Sequence, residues 1–469
     1  MADRVPTFDV AVVGGGIVGC AIAHRLSRHT RSLVLLERAP DVCEGTSKAN
    51  SGIVHTGFDA KPGTLEARLL GVARRLWPTL AEELGIPLIR TGAVMVARSP
   101  ADMDYIQNTL VPGAAANGVE VRVLTREEVL QLAPHVTDRA VGGLHIPGES
   151  LTDPFWATRA FAEAAARNGA EIWTENGAEA MEIVDGGTAI RIRTTGGREL
   201  KARKVINAAG LWSDEVARLI GDTSFRLTPR KGQFLLSEDD LGIQVITLPV
   251  PNPKSKGILV TPLAIGGLLM GPTAEDQEDK TDFATTREGL ARVLEETSQL
   301  VPAVAKVKPV RAFAGLRAVY AGGDYIIRPS EVTPLMLHVA GIRSTGVSAS
   351  PGIAAYVAEL LQKEGFLPPE RTDLPPRPEW AAEEGSSEVV CLCRNITRGE
   401  IERALSGPIP IRSLDAVKRR TGAMLGECQG NQCMVRIMQI MTEKLGIKPT
   451  EIIKHAAGSY VAVAPGEER

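Results

Sequence analysis

Apolar and polar positions alternate along this chain in segments that read as strands and helices in mixed order. The first group predicts a strand at Asp9–Val13, a glycine turn, a helix over Cys20–Arg28 and a second strand at Ser32–Glu37, which together form a βαβ unit. Residues 65–85, rich in helix formers, predict a helix, Gly92–Arg98 a strand, and Phe155–Asn168 another helix. Glu179–Val184, a turn at Asp185-Gly186-Gly187, Ala189–Thr194, a turn at Gly196-Gly197 and Lys204–Asn207 follow. That succession predicts a small antiparallel meander feeding back into a sheet. Between residues 220 and 320 the strand-like runs Gly232–Leu236, Gly257–Val260 and Leu268–Gly271 are separated by Pro and Gly, so a second, β-rich domain is expected there. Residues 367–386 are Pro-rich and charged, cannot build a core, and read as a linker to a last compact unit. No internal repeat is visible.

Length and charge narrow the picture. A chain of 469 residues exceeds one ordinary core, so two to three domains are expected. With 53 Lys+Arg against 56 Asp+Glu the formal charge is −3, which argues against a general nucleic-acid binder. The run Phe8–Val13 passes almost at once into glycines, so no signal peptide is expected. No uncharged stretch approaches the ~18 apolar residues of a spanning helix. A cytoplasmic location is therefore expected, where thiols stay reduced and grouped cysteines more often ligate metal than form disulfides.

Gly14-x-Gly16-x-x-Gly19 lies between a predicted strand and a predicted helix, with Ile17 and Val18 inside the turn. The first glycine allows the turn, the second lets backbone approach a pyrophosphate, and the third lets helix pack on strand. Glu37, followed by Arg38, ends the second strand, where an acid binds a ribose hydroxyl and repels a 2′-phosphate. Dinucleotide binding follows, but not whether FAD or NAD is bound. A second glycine fingerprint, which a flavoprotein also binding NAD through a Rossmann unit would need, is absent from the sequence.

The single N-terminal site, with Lys204-Val205-Ile206-Asn207-Ala208-Ala209-Gly210 ending a later strand, resembles the FAD enzymes of the glutathione-reductase-like fold, and within it the D-amino-acid oxidase superfamily. Three segments carry a closer resemblance to FAD-dependent glycerol-3-phosphate dehydrogenases and L-2-hydroxyglutarate oxidases. They are Thr46–Gly57, which resembles the flavin-ring loop, Gly315-Leu316-Arg317, and Gly341–Gly346. The resemblance spans residues 8–360 and implies an α/β fold, with a Rossmann-type FAD-binding domain (1–75, 150–218 and 321–366) and an inserted α+β substrate domain (76–149 and 219–320). It further implies FAD contacts from Thr46, Ser47, Asn50, Ser51, Gly52, Ala209, Gly210, Gly346, Val347 and Ser348.

In such families a hydride passes from a carbon bearing hydroxyl or amine to the flavin, and the protein supplies position, a proton acceptor and charge pairing. His55, just after the ring loop, is the candidate base or polariser; the alternative is a histidine bonded only to backbone or cofactor. Arg317 and Arg343 are candidate anion contacts, against structural ion pairs. Arg230 and Lys231, in Pro229-Arg230-Lys231-Gly232-Gln233, could also line the pocket but read better as a solvated turn. Glycerol 3-phosphate is the expected substrate. The Gly341–Gly346 segment leans toward the hydroxyglutarate pattern, so a 2-hydroxy acid is the nearest rival and an amine or imino acid the third. The rival from another class is a redox subunit without catalysis of its own.

Four of the six cysteines crowd the last unit as Cys391-x-Cys393 and Cys428-x4-Cys433. They resemble the ligands of the bacterioferritin-associated-ferredoxin-like [2Fe-2S] domain, here a small helical unit over residues 387–460. A zinc ribbon is the alternative for four thiolates, though it usually pairs two Cys-x2-Cys knuckles. The resemblance implies that electrons leave through the cluster to a redox partner subunit or quinone pathway, with peripheral association at the inner face of a membrane compatible with it. Lys418, Arg419 and Arg420 offer either charge compensation for the thiolates or a solvated helix face. Cys20 reads as a packed apolar residue and Cys43 as a loop thiol.

Overall fold

The strand Thr7–Val13 sits between two parallel neighbours, Leu33–Leu36 on one side and Glu199–Asn207 on the other. The computed structural model describes residues 5–251, 257–376 and 385–463. Its first sheet continues from Glu199–Asn207 through Ala189–Thr194 to Ala178–Val184, all antiparallel, and on the other edge to Glu171–Trp173. The expected meander is thus present, and it feeds the sheet through one long strand. The C-terminal end of that strand, Val205–Asn207, also pairs in parallel with Met336–His338. Helices Ile17–Ser27, Leu65–Leu84, Pro154–Arg167 and Gly346–Lys363 cover one face with a core that includes Ile22, Leu69, Trp77, Phe161 and Val357.

The second sheet has the strand order Glu275–Asp276, Leu227–Ser237, Leu268–Gly271, Leu259–Pro262, Ile246–Pro249, Ala93–Ala97, Gly142–Ile146 and Arg122–Thr125, with Pro309–Tyr320 also paired to Leu227–Ser237. A short three-stranded sheet of Ile53–Val54, Ser150–Thr152 and Leu88–Ile89 lies at the end of the ring loop. In the terminal unit, Thr397 and Glu400 form a capping box on helix Arg398–Leu405. There each satisfies a backbone donor that the helix leaves unpaired. Helices Leu414–Thr421 and Met434–Leu445 complete a core of Ile401, Leu414, Val417, Ile437 and Ile440, and a two-stranded ribbon, Val389–Cys391 with Ile396–Thr397, adds to this largely helical unit.

Three expectations change. The boundary at residue 75 falls inside the single helix Leu65–Leu84, whose later residues Trp77, Ala81 and Leu84 belong to the same core as its start. Arg230 and Lys231 are no turn: they lie within the long strand Leu227–Ser237, opposite Arg317 and Leu316. The linker read over 367–386 is partly a strap. Arg371 donates from its N–H to Arg28 O at 2.7 Å and from its guanidinium to the carbonyls of Ser27 and Asn168, while Leu367 is buried. Residues 377–384 of it lie outside the described residues.

Gly352 lets helix Gly346–Lys363 touch helix Leu65–Leu84, since a Cβ there would stand 2.2 Å from Leu69 O. Gly352→Val should therefore push the two helices apart and cost about 1–3 kcal/mol or more of stability in urea unfolding; an unchanged midpoint would contradict this packing account.

Candidate functional site

Backbone approach shapes the N-terminal turn. Gly14 has φ +113° and a Cβ there would lie 2.4 Å from Ala208 O, while one on Gly19 would lie 1.9 Å from Gly14 O. No side chain fits at either position, so the turn stays open for a pyrophosphate at the head of helix Ile17–Ser27. Gly16 brings no side chain to cap that helix; Ser47 reaches in from the ring loop and accepts the Ile17 N–H at 3.0 Å. Val18 lies beside Gly346 at the start of the last long helix of the domain.

Glu37 is buried, and its two oxygens accept the N–H groups of Gly15 at 2.7 Å and Ala39 at 2.8 Å. Burial raises its pKa against the pull of those two amides. Each oxygen retains a further lone-pair site that a ribose hydroxyl can use. Arg38 stacks 4.3 Å from the centroid of Trp212, which sets it beside the Gly210 turn, where φ is +59°. Ala209 donates its N–H to Asn207 Oδ1 at the end of the same strand.

The ring loop folds as a short 3-10 turn, Thr46–Ala49. Thr46 donates to Leu316 O at 2.7 Å, and Asn50 Oδ1 accepts the Gly52 N–H at 2.8 Å, with Ser51 between them. Gly52 at φ +75° passes close to Thr152 O. Ser348 then joins this loop to helix Gly346–Lys363, accepting the His55 N–H at 2.9 Å and donating to Ile53 O at 3.0 Å; Val347 beside it is buried.

His55 Nδ1 stands 3.0 Å from Glu149 Oε2, and Glu149 is 0% exposed. The other oxygen of Glu149 accepts both the N–H and the hydroxyl of Thr56 at 2.8 Å. A buried carboxylate this close to one ring nitrogen favours a proton on that nitrogen and orients the ring, which is the arrangement expected of a positioned proton acceptor. Neither Glu149 nor Thr56 was visible as a site residue in the sequence, because no local motif surrounds Gly148-Glu149-Ser150.

Arg317 and Gly315 project from one face of strand Pro309–Tyr320. A Cβ on Gly315 would lie 2.6 Å from that of Ala49, so this face meets the ring loop. Arg317 donates to Thr273 O at 2.8 Å, and burial with the neighbouring charge of Arg230 lowers its pKa to about 10. Arg230, opposite it across the strands, grips Asp276 through both Nε and Nη2. Lys231 pairs with Asp282 at 2.6 Å. Arg343 instead pairs with Glu66, whose second oxygen accepts the Thr345 hydroxyl at 2.7 Å. The structure thus gathers Arg317 and Arg230 on the wall facing the ring loop and gives Arg343 a carboxylate partner.

The four late cysteines converge in two contacting pairs, Cys393 with Cys428 and Cys391 with Cys433. Cys391 and Cys433 are buried, and Cys393 is exposed. Amides of Gln432, Gly430 and Asn431 donate to the Cys428 sulfur and lower its pKa, whereas burial pushes Cys433 up to about 12. Four thiols in two pairs suit a two-iron cluster better than one zinc ion. Lys418, Arg419 and Arg420 do not lie on a solvated face: all three are buried, Lys418 against Asp415 and the two arginines against Asp41. Cys20 and Cys43 are both buried free thiols, and burial pushes Cys43 up to about 12.

Comparison with known proteins agrees with this arrangement. Residues 9–360 match the family described as FAD dependent oxidoreductase, and residues 389–443 match the BFD-like [2Fe-2S] binding domain. A protein named glycerol 3-phosphate dehydrogenase from Caloramator mitchellensis is 34% identical over 98% of each chain. One subunit of the anaerobic glycerol-3-phosphate dehydrogenase of Escherichia coli is 26% identical, over 91% of this chain and 86% of its own. Among solved structures, the dithionite-reduced L-alpha-glycerophosphate oxidase of Mycoplasma pneumoniae with FAD bound superposes with TM-score 0.75 and 28% identity, over 80% of this chain and all of that one. The cofactors are accordingly FAD, for which the glycine turn and ring loop offer a cradle, and a [2Fe-2S] cluster, for which the four late cysteines offer ligands.

The two sites should be separable by substitution. Gly14→Val should yield protein with iron but little flavin absorbance, and Cys433→Ser should yield flavin with little iron. Metal analysis and visible spectra of anaerobically purified variants report both, and joint loss of both cofactors in each variant would contradict independent sites.

Proposed function

Because this chain belongs to the FAD-dependent oxidoreductase family and ends in a BFD-like [2Fe-2S] binding domain, we propose that it is a glycerol-3-phosphate dehydrogenase whose electrons leave through the cluster. The observation that carries the reading is the full-length relative of that name, which matches across both modules. Bound FAD supplies the centre that accepts a hydride from the carbinol carbon.

The residues around it supply the remainder. His55, with Nδ1 turned to Glu149, carries its lone pair on Nε2 and takes the hydroxyl proton as the C–H bond breaks. Glu149 stabilises the positive charge that this proton brings, while Thr56 holds the carboxylate in place. Arg317 offers a planar fork for the phosphate oxygens, and Arg230 adds positive charge on the same wall while held by Asp276. Arg343 acts through Glu66, bracing the segment that leads into helix Gly346–Lys363.

The acceptor in this reading is a redox partner subunit or a quinone pathway, and the Escherichia coli relative, itself one subunit of an enzyme, supports a partner. Among the described residues no helix is long and apolar enough to cross a membrane. A cytoplasmic location with peripheral docking at a membrane belongs to the same reading.

Anaerobic mixing with a panel of glycerol 3-phosphate, L-2-hydroxyglutarate and amino acids, followed by flavin absorbance, tests the substrate. Glycerol 3-phosphate should bleach the flavin fastest; bleaching by a hydroxy dicarboxylate or an amino acid alone would overturn the assignment. His55→Ala should slow that bleaching by about 10²–10⁴-fold with flavin content intact, whereas Arg317→Ala should chiefly raise the substrate concentration needed for half-maximal rate.

A further inference from the structure

We propose that Arg419 and Arg420, closed on Asp41 and Glu44, are positioning residues that hold the cluster-bearing unit against the flavin-bearing domain and thereby set the rate of electron transfer between the two cofactors. The inference rests on the reading that electrons leave through the cluster.

The contact is built as a buried lock. Arg420 engages Asp41 with both terminal nitrogens, Nη2 donating to Oδ1 at 2.8 Å and Nη1 to Oδ2. Arg419 Nη2 donates to Asp41 Oδ2 at 3.1 Å and also to Glu44 Oε1. The side chains are nearly dry: 5% exposed for Arg419, 2% for Arg420 and 2% for Asp41. Burial would raise the Asp41 pKa, but Arg420 and then Arg419 hold it below the usual carboxylate range. Two cations meeting two anions out of water add little net stability, because desolvation offsets attraction. Their value is geometric: with one partner displaced, the remaining charges are buried and unpaired, so one docked arrangement is strongly preferred.

Each end of the lock leads to a cofactor. Arg419 and Arg420 occupy the last turn of helix Leu414–Thr421, which stops at Gly422 with φ +81°. The chain then runs through Met424, whose N–H bonds to the Cys433 sulfur, to Cys428. On the other side, Asp41 and Glu44 precede Thr46 and Ser47, the residues bonded to Leu316 O and to the first amide of the nucleotide helix. The first cysteine pair has its own anchor. Arg394, next to Cys393, donates to Glu238 Oε2 at 2.9 Å and to Ile265 O at 2.7 Å. Both ligand loops are therefore tied to the body of the enzyme, as a unit swinging on a linker would not need to be.

Oxidation of the secondary alcohol to the ketone would pass a hydride, two electrons with one proton, to the flavin and the hydroxyl proton to His55; the cluster would accept the electrons one at a time, a one-electron acceptor would remove each before the next arrives, and both protons would leave to solvent. A small displacement of reacting centres by a remote substitution can cost on the order of 10²-fold in rate.

The test uses full-length holoenzyme, anaerobic, mixed with glycerol 3-phosphate and sampled by flavin absorbance and by freeze-quench paramagnetic resonance of the reduced cluster. In Asp41→Asn and Arg420→Lys, flavin bleaching should keep the wild-type rate, while cluster reduction slows by about 10- to 100-fold and hydrogen exchange rises across residues 41–46 and 414–425. Arg394→Gln, on the second anchor, should slow cluster reduction in the same sense and serves if the first variants fail to fold. Unchanged cluster reduction in cofactor-replete variants would overturn the proposal, as would flavin bleaching that slows by the same factor. If the wild-type flavin bleaches and the cluster stays oxidised, the exit reading itself fails and takes this inference with it, an outcome distinct from either of the others.

Discussion

The contact of Gly19 with the carbonyl of Gly14 sets the spacing on which the nucleotide domain depends. It allows helix Ile17–Ser27 to lie directly on strand Thr7–Val13, and that placement fixes where helices Pro154–Arg167 and Gly346–Lys363 pack in turn. A methyl group between strand and helix would move all three. The proposed flavin contacts come from these same elements, so the geometry of the candidate site follows from a position where nothing larger than hydrogen fits. The same economy recurs at Gly352, where two long helices touch backbone to backbone.

Around this frame the polar groups are arranged so that loops lend their donors and acceptors to elements that lack them. Ser47 caps a helix whose own cap residue is glycine, and Ser348 stitches the ring loop to the last helix of the domain. Asp324 receives the first two amides of helix Leu65–Leu84. His338, wholly buried, stands between Asn207 and Asp222, and that chain of contacts pins the end of the strand that carries Ala209 and Gly210. Unpaired, such buried groups would be costly; paired, they specify one position for each loop.

What could be read in the sequence was what chemistry writes locally. The glycine spacing, Glu37 at a strand end, the glycine turns of the meander and the cysteine pairs each depend on residues close together along the chain. Glu149 was hidden because its partners His55 and Thr56 are far from it in sequence and no motif accompanies it. The partner of Arg419 and Arg420 was hidden for the same reason: a run of three basic residues can pass for a solvated face until Asp41 arrives from the other end of the chain. Arg230 was misread because Pro229 mimics a turn signal, whereas strand Pro309–Tyr320 runs alongside the whole segment and keeps it extended. The helix across residue 75 was predicted as a helix yet divided between domains, since composition does not reveal which core a continuous helix serves.

The cluster site is lopsided. Cys391 and Cys433 are sealed inside, while Cys393 stands at the surface beside Leu392, which is 73% exposed. Exposure on that side is an inlet for oxidants, because a solvent-reachable sulfur is the first to be oxidised. Reach from solvent at Cys393 therefore leaves the cluster end of the protein open to oxidation by dioxygen and peroxide on that side, while its buried counterparts are shielded.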